Sequence, residues 1–217
     1  MVNSAATGCF IAFEGGEGAG KSTQASLLAE GLRASGKSVI VTREPGGTPG
    51  AEAIRSLLLE PPGGAWGAEA EALLFAAARS DHVSNTILPA IRRGEWVVCD
   101  RFVDSSRAYQ GGAGGLGDEA ILALHQFGSA GLRPDLVILL EADEALLANR
   151  LRARDGDTSD AIGGRGVAYH RAVAARFRAM AQGDPAGFAV IDGAGPPEEV
   201  HLRVMAAIGP LLKRAAS

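Results

Sequence analysis

The amino-acid sequence predicts an α/β fold in which a five-stranded parallel sheet is covered by helices on both faces. The strands are predicted from five short apolar runs rich in β-branched residues, which span residues 9–14, 38–42, 96–100, 136–141 and 188–192. Because these runs are apolar on both faces, the strands should be buried on both sides. Helical periodicity between the runs favours parallel pairing through crossover helices.

The helices are predicted from apolar residues that recur every three to four positions. The predicted segments are 22–33, 51–59, 68–79, 119–127, 144–154, 166–180 and 197–213. Gly36 is expected to end the first helix, and two glycine-rich segments, 111–117 and 155–164, are expected to be mobile loops. In open parallel sheets, ligands bind at the carboxyl ends of the strands. The polar residues expected there are Glu14, Thr42, Asp100 and Glu141.

Length and composition limit the class of protein. The 217 residues are enough for a core, and we expect one domain over residues 1–217. A formal charge of −4 argues against a large nucleic-acid interface but allows small phosphorylated ligands. Cys9 and Cys99 lie in apolar runs and are expected to be buried, reduced thiols. No apolar run approaches the ~18–20 residues of a membrane span, so we expect a cytoplasmic protein.

The segment "GGEGAGKST" predicts a phosphate-binding loop. Gly15, Gly20, Lys21 and Ser22 satisfy the P-loop spacing between a predicted strand and a predicted helix. The glycines let backbone N–H groups surround a β-phosphate, and the helix N-terminus adds partial positive charge. Lys21 would reach the β- and γ-phosphates, and Ser22 would bind Mg²⁺. The residues predicted to contact ATP are Gly15, Gly16, Glu17, Gly18, Ala19, Gly20, Lys21, Ser22 and Thr23.

Several classes of protein contain such a loop. A GTPase switch needs a guanine-reading Asn-Lys-x-Asp segment, and the sequence has no Asn-Lys pair. A partitioning ATPase would hydrolyse ATP without an acceptor and would bind a macromolecular partner. A phosphotransferase instead needs a second pocket for its acceptor, lined by arginines and an aromatic side chain.

Candidates for that second pocket follow the loop along the chain. Phe75 and Arg79 are four residues apart and share one helix face. A Phe among Leu and Ala is more often a core residue, but a cation on the same stripe favours a binding pocket. Asp100 ends an apolar strand, where P-loop enzymes carry a carboxylate that organises Mg²⁺, and Arg101 follows it.

Five segments together resemble the bacterial thymidylate kinase family. They are "FEGGEGAGKST", "TREPGGT", "LLFAAARSDHV", "DRFVDSSRAYQGG" and "RPDLVILLE", and they occur in the family's order over residues 9–192. The resemblance implies a nucleoside-monophosphate-kinase fold, transfer of the γ-phosphoryl group of ATP to dTMP, and a homodimer. A kinase for another nucleoside monophosphate is the nearest alternative.

The resemblance also implies roles for residues of the acceptor pocket. Phe75 resembles the residue that stacks on thymine, and Arg79 the one that hydrogen-bonds a thymine carbonyl oxygen. Ser106 and Gln110 are in the positions where the family contacts the thymine edge, and Tyr109 is in the position beside the deoxyribose.

For the dTMP phosphate, the resemblance implies a clamp formed by Arg55 and Arg101. It also explains the carboxylate within an anion-binding loop. Glu17 resembles a family residue that points away from ATP and toward the 3′-hydroxyl of the acceptor sugar. Pro45 in "REPGG" matches a proline that is cis in the family.

A mobile lid over ATP is predicted at about residues 150–166. In the family, a catalytic arginine comes from the phosphate-binding loop or from the lid. Because Gly18 follows the loop carboxylate here, we expect it from the lid, where Arg150 and Arg154 share a helix face and Arg165 lies across the glycine-rich stretch. The residues predicted to be catalytic are Glu17, Lys21, Arg101, Arg150 and Arg154.

Overall fold

A computed structural model of the protein describes residues 8–155 and 164–214, apart from the side chains of residues 154 and 155. Its five strands are β1 (Phe10–Glu14), β2 (Val39–Arg43), β3 (Trp96–Asp100), β4 (Leu136–Glu141) and β5 (Phe188–Asp192). They form one parallel sheet in the order β2-β3-β1-β4-β5. The predicted fold class is confirmed, and every strand begins and ends within one residue of its prediction.

Helices connect the strands and cover both faces of the sheet. They are α1 (Lys21–Ala34), α2 (Pro49–Leu59), α3 (Ala68–His82), α4 (Leu88–Arg92), α5 (Val103–Ser106), α6 (Asp118–Ser129), α7 (Glu144–Asp155), α8 (Val167–Gly183) and α9 (Pro197–Arg214). All seven predicted helices are present. Helix α2 begins two residues earlier than predicted because Thr48 caps it through a hydrogen bond from the Ala51 N–H, and Pro49 suits the first turn. Gly36, with a positive φ of 81°, follows the end of α1 as predicted.

Four helical elements were not predicted, namely α4, α5 and two π-helical segments next to them. Val83–Ile87 is a π-helical turn that joins α3 to α4, and Arg107–Ala113 continues α5 in the same way. A helix at Val83–Ile87 is hard to predict because Pro89 follows it, and proline disfavours a helix interior. The wider π-helical turn before Pro89 leaves room for the proline ring. The second π-helical segment contains Gly111 and Gly112, so its helical form depends on burial rather than on propensity.

The glycine-rich segment 111–117, predicted as a loop, is helical over its first three residues. Gly111 is buried at the end of the second π-helical segment. A Cβ there would lie 3.1 Å from both the Gly117 carbonyl oxygen and Ile121 Cγ1. This glycine allows close packing against the following helix, which is a structural reason for the residue other than flexibility.

The core consists of apolar layers on the two faces of the sheet. Because alternate residues of a strand face opposite sides, Ile11 and Phe13 pack with α1 and α9, whereas Phe10 and Ala12 pack on the other face. The layer on the second face continues with Val137 and Leu139 against α8. The central strands β1, β3 and β4 are thus buried on both sides, as their apolar runs predict. For the edge strands β2 and β5 the prediction is wrong, because Val41 and Val190 are exposed.

The two cysteines, Cys9 and Cys99, are buried free thiols, as predicted. Burial, with Asp135 nearby, raises the pKa of Cys9 to about 12. Among the described helices, none is both long and apolar enough to cross a membrane.

The strand order determines where a ligand site can form. β1 lies at the centre, paired with β3 on one side and with β4 on the other. Connections from β1 and its neighbours run to opposite edges of the sheet, which leaves a crevice at the carboxyl end of β1. Glu14 and Asp100 end the adjacent strands β1 and β3 at this edge, with Phe13 paired to Asp100 in the register.

Candidate active site

The loop after β1 owes its shape to glycines. Gly15, Gly18 and Gly20 all have positive φ, of 135°, 73° and 92°, which other residues rarely adopt. At Gly15 a Cβ would also lie 2.4 Å from the Leu140 carbonyl oxygen on β4. The loop can therefore lie directly against the sheet and present the N-terminus of α1 to the crevice.

Lys21 lies on the first turn of α1 and folds back over this loop. Its Nζ donates hydrogen bonds to the carbonyl oxygens of Gly15, at 3.1 Å, and Gly16, at 2.7 Å. Burial, reinforced by the nearby charge of Arg101, lowers the pKa of Lys21 to about 8. The ammonium group is thus largely desolvated at the loop that the sequence predicts to bind phosphate.

A first cavity, of about 370 Å³, lies on the α1 side of the loop. It is lined by Gly18, Ala19, Gly20, Lys21, Ser22, Thr23, Gln24, Arg150, Gly193, Gly195, Pro197 and Val200. Six of the nine residues predicted to contact ATP are among them. Sequence reasoning missed the segment 193–197, although its glycines follow β5 at the ligand-binding edge of the sheet.

Arg150 is the member of the predicted lid that reaches the first cavity. Its Nη2 donates to the carbonyl oxygens of Gly193, at 3.0 Å, and Gly195, at 3.3 Å. Arg152 is exposed and bonds instead to Asn149, on the same helix. Residues 156–163 and the side chain of Arg154 lie outside the described residues, so the predicted lid and the role of Arg154 stay predictions.

The hydroxyl of Ser22 and the carboxylate of Asp100 meet beside the first cavity. Ser22 Oγ donates to Asp100 Oδ2, while Asp100 Oδ1 is buried with no hydrogen-bond partner among the described residues. A hydroxyl and an under-satisfied carboxylate oxygen are suitable ligands for Mg²⁺. In the described part of the chain, His, Cys, Asp and Glu form no metal-binding group of three or more. A magnesium ion here would depend on phosphate and water for its other ligands.

A second cavity lies on the opposite side of the loop, facing α2, α3 and α5. It is lined by Glu17, Glu44, Pro45, Arg55, Leu59, Phe75, Arg101, Ser105, Ser106, Tyr109 and Gln110. Seven of the eight residues predicted to bind dTMP are present. Glu17 therefore faces this cavity and not the first one.

Two arginines stand at the end of the second cavity nearest the loop. Arg101 has a positive φ of 70°, and its Nη2 donates to Glu17 Oε1 at 2.9 Å. Arg55 Nη1 donates to the Pro45 carbonyl oxygen at 2.8 Å, and the Glu44–Pro45 peptide bond is cis. The Arg101 guanidinium is thus held at the loop, and Arg55 lines the same cavity, where an anion could bind between the two.

Glu14 anchors the chain that follows β3. It accepts hydrogen bonds from the Phe102 N–H at 2.8 Å, the Ser105 N–H at 3.1 Å and Ser105 Oγ at 2.6 Å. Ser105 Oγ in turn accepts from Arg101 Nη1 at 3.1 Å. Burial, together with the charge of Asp104, raises the pKa of Glu14 to about 7. This role was not predicted, because the bonding partners are about ninety positions away in the sequence.

At the far end of the second cavity, Phe75 is partly exposed on its wall. Arg79 lies behind that wall, 3% exposed, and bonds Glu44 Oε2 at 2.7 Å and Ser106 Oγ at 2.8 Å. The Tyr109 hydroxyl is buried and has no hydrogen-bond partner among the described residues. A flat apolar face and a polar group that lacks a partner suit a ligand that has a ring and hydroxyl groups.

Comparison with known proteins agrees with this geometry. The sequence profile of the thymidylate kinase family matches residues 13–204. The chain is 56% identical over 205 residues to a thymidylate kinase of Rhizorhabdus wittichii, covering 94% of this chain and 99% of that one. It is 50% identical over 208 residues to one of Gluconobacter oxydans, with coverages of 94% and 95%. The crystal structure of thymidylate kinase from Ehrlichia chaffeensis superimposes with a TM-score of 0.75 at 30% identity, covering 93% of this chain and 99% of that one.

Proposed function

The chain belongs to the thymidylate kinase family, and from this premise we propose how its two cavities share one reaction. The enzyme transfers the γ-phosphoryl group of ATP to dTMP, which gives ADP and dTDP. The assignment of the cavities rests on the phosphate-binding loop, which contributes residues to both. Lys21 and Ser22 line one cavity, while Glu17 lines the other. ATP would bind in the first cavity and dTMP in the second.

On the ATP side, the loop N–H groups and the N-terminus of α1 bind the phosphates. Lys21 leaves its carbonyl partners in the loop and pairs with the β- and γ-phosphates. Ser22 and Asp100 would hold Mg²⁺, which would neutralise charge on the phosphates. The unpartnered Asp100 Oδ1 supports this assignment.

On the dTMP side, Arg55 and Arg101 bind the acceptor phosphate next to the loop. Phe75 stacks on thymine, and Arg79, which lies behind the wall, acts on the base edge together with Ser106 and Gln110. Five of these six side chains line the cavity, which supports the assignment.

The deoxyribose lies between the phosphate and the base. Tyr109 supplies a hydroxyl that has no hydrogen-bond partner among the described residues, and Glu17 accepts a hydrogen bond from the 3′-hydroxyl. Glu17 and Arg101 thereby fix the sugar and the phosphate with respect to the loop.

Catalysis on this arrangement consists mainly of positioning and neutralisation of charge. An oxygen of the acceptor phosphate, held by the arginines, attacks the γ-phosphorus of ATP. The bond from this phosphorus to the β–γ bridging oxygen breaks, and ADP leaves. Lys21 and Arg150 offset the negative charge on the transferring group. Arg150 already lies beside the loop, held by the carbonyl oxygens that follow β5.

We also propose that the enzyme is one cytoplasmic domain that forms a homodimer through α3 and α6. These helices pack against each other, and Gly128 of α6 lies close to Ser80 of α3. Leu73 on α3 is 56% exposed, and Phe127 on α6 is 94% exposed. Two such exposed apolar side chains on helices that pack against each other support the proposal.

An ADP-release assay with ATP and a panel of nucleoside monophosphates tests the assignment of the substrates. We expect dTMP to give the highest kcat/KM. A higher kcat/KM with another monophosphate would assign the second cavity to that nucleotide, and release of ADP without any acceptor would favour a nucleotide hydrolase.

A further inference from the structure

A buried carboxylate lies directly behind the second cavity. Glu71, in the first turn of α3, has a side chain that is only 9% exposed. Its Oε1 accepts a hydrogen bond from Gln110 Nε2 at 2.8 Å, and its Oε2 accepts one from Arg165 Nη2. It therefore joins a residue of the cavity wall to the segment that precedes α8.

This contact fixes the orientation of the Gln110 amide. A glutamine side chain can present either its oxygen or its nitrogen to a partner after a half-turn about its last bond. An ionised carboxylate only accepts hydrogen bonds, so the amide nitrogen must face Glu71. The amide oxygen, an acceptor, is then the end that remains for a ligand in the cavity that Gln110 lines.

Arg165 is the cation that pairs with this carboxylate. A buried carboxylate requires a charged or hydrogen-bonded partner of this kind. Arg165 also donates to the Tyr169 hydroxyl, with its guanidinium 4.8 Å from the centre of that ring. The Tyr169 hydroxyl donates to the Tyr109 carbonyl oxygen at 2.9 Å, which ties α8 to the segment that carries Gln110.

This geometry changes the interpretation of Arg165. The sequence suggests it as a candidate to reach ATP phosphate, but its nitrogens bond Glu71 and Tyr169 on the acceptor side. The sequence could not reveal that Glu71 is the partner of Arg165, because the two residues are 94 positions apart.

We propose that Glu71, paired with Arg165, is a positioning residue that makes the acceptor site select a base with a donor at N3. Thymine and uracil carry N3–H, which the Gln110 oxygen can accept. Cytosine has an acceptor at N3, so two acceptors would face each other without a proton between them. This inference rests on the proposed binding of dTMP in the second cavity.

The direct test is Glu71→Gln, which keeps the shape and lets Gln110 turn either way. We expect the ratio of kcat/KM for dTMP over dCMP to fall by roughly tenfold or more, with the ratio of dissociation constants following it. The ratio for dTMP over dUMP, two bases that share N3–H, should stay within about twofold of the wild type. The KM for ATP should not change. A structural role alone would weaken dTMP and dCMP equally.

Glu69→Gln is the matched control, since it makes the same chemical change in the same turn of α3 at an exposed position. It should leave all the ratios unchanged. If Glu71→Gln does not fold, Arg165→Met and Arg165→Lys decide the matter. Lysine, which keeps the charge, should retain more of the dTMP-over-dCMP preference than methionine does.

A dTMP-over-dCMP ratio that stays within about twofold of the wild type in both Glu71→Gln and Arg165→Met would overturn the inference. Gln110→Ala separates this failure from a failure of the proposed site. If Gln110→Ala leaves the dTMP dissociation constant unchanged, the second cavity is not the thymine site, and the inference fails with it. If Gln110→Ala weakens dTMP while the ratios stay constant, only the role of Glu71 is wrong.

Discussion

Glu17 of the phosphate-binding loop and Arg101 after β3 form an ion pair, with 2.9 Å between Oε1 and Nη2. About a fifth of each side chain is exposed, at 20% and 17%. The contact turns the carboxylate away from the cavity that Lys21 and Ser22 line, so negative charge in the loop does not face the proposed ATP phosphates. It also brings together the proposed donor for the acceptor phosphate and the proposed acceptor for a sugar hydroxyl.

The first prediction concerns the sugar contact of Glu17. Glu17→Gln keeps the size of the side chain and removes its charge, so the hydrogen bond that it accepts from the 3′-hydroxyl should weaken. We expect the dissociation constant of dTMP to rise by roughly three- to tenfold, in line with one charge-assisted hydrogen bond. A 3′-deoxy analogue should lose less affinity. Equal discrimination between 3′-OH and 3′-H in both proteins would contradict the contact.

The second prediction concerns the base. Phe75 lies partly exposed on the wall of the second cavity, four residues before Arg79 on the same helix. Phe75→Ala should weaken dTMP binding by about 1–3 kcal/mol, the usual range for stacking of a base on an aromatic ring. The affinity for ATP, measured by titration calorimetry, should not change. Equal losses for both nucleotides would mean that Phe75 only supports the core.

The strands and the phosphate-binding loop could be predicted because their signals are local. An unbroken apolar run, or Gly15 through Ser22 in fixed spacing, needs no knowledge of the rest of the chain. Glu71 with Arg165, and Glu14 with Ser105, could not be paired in this way, since each pair forms only when distant segments pack. Local signals identified residues that line the two cavities and missed the residues that hold them.

The same distinction explains the helices that were missed. The sequence of Val103–Ala113 favours a loop on propensity alone, and burial overrides that preference. Arg79 was predicted only in part. Its spacing from Phe75 was visible in the sequence, but its partner Glu44 on the β2–α2 connection was not.

The third prediction follows from the pKa of Glu14, which burial and Asp104 raise from 4.5 to about 7. The folded protein binds the proton more tightly than the unfolded chain does, so this contribution to stability is complete below pH 4.5 and is lost as the pH rises through 7. Relative to Glu14→Gln, the free energy of unfolding of the wild type should fall by up to roughly 3 kcal/mol over that window. Urea unfolding at several pH values measures it, with the exposed Glu69→Gln as control. A constant difference between wild type and Glu14→Gln would contradict the shift.

The last prediction concerns the extra cation at the transferring phosphoryl group. Charge on the γ-phosphoryl oxygens in the transition state needs a cation beyond Lys21, and Gly18 in the loop cannot supply one. Among the arginines of α7 whose side chains the structure describes, Arg150 lines the first cavity, with Nη2 held by the Gly193 and Gly195 carbonyl oxygens. A small rotation about its terminal bonds would exchange these carbonyl partners for phosphate oxygens.

Arg150→Ala should therefore lower kcat by more than tenfold, and arginines that act in this way contribute roughly 10³–10⁵ in turnover in related reactions. The KM for dTMP should change little, because Arg150 lies on the other side of the loop from the second cavity. Arg152→Ala is the matched control, since Arg152 lies two residues further along α7, is exposed and bonds only Asn149 among the contacts described. It should change kcat by less than about twofold. If Arg150→Ala lowers kcat by less than tenfold, Arg150 only lines the cavity, and the cation must come from another residue of the predicted lid.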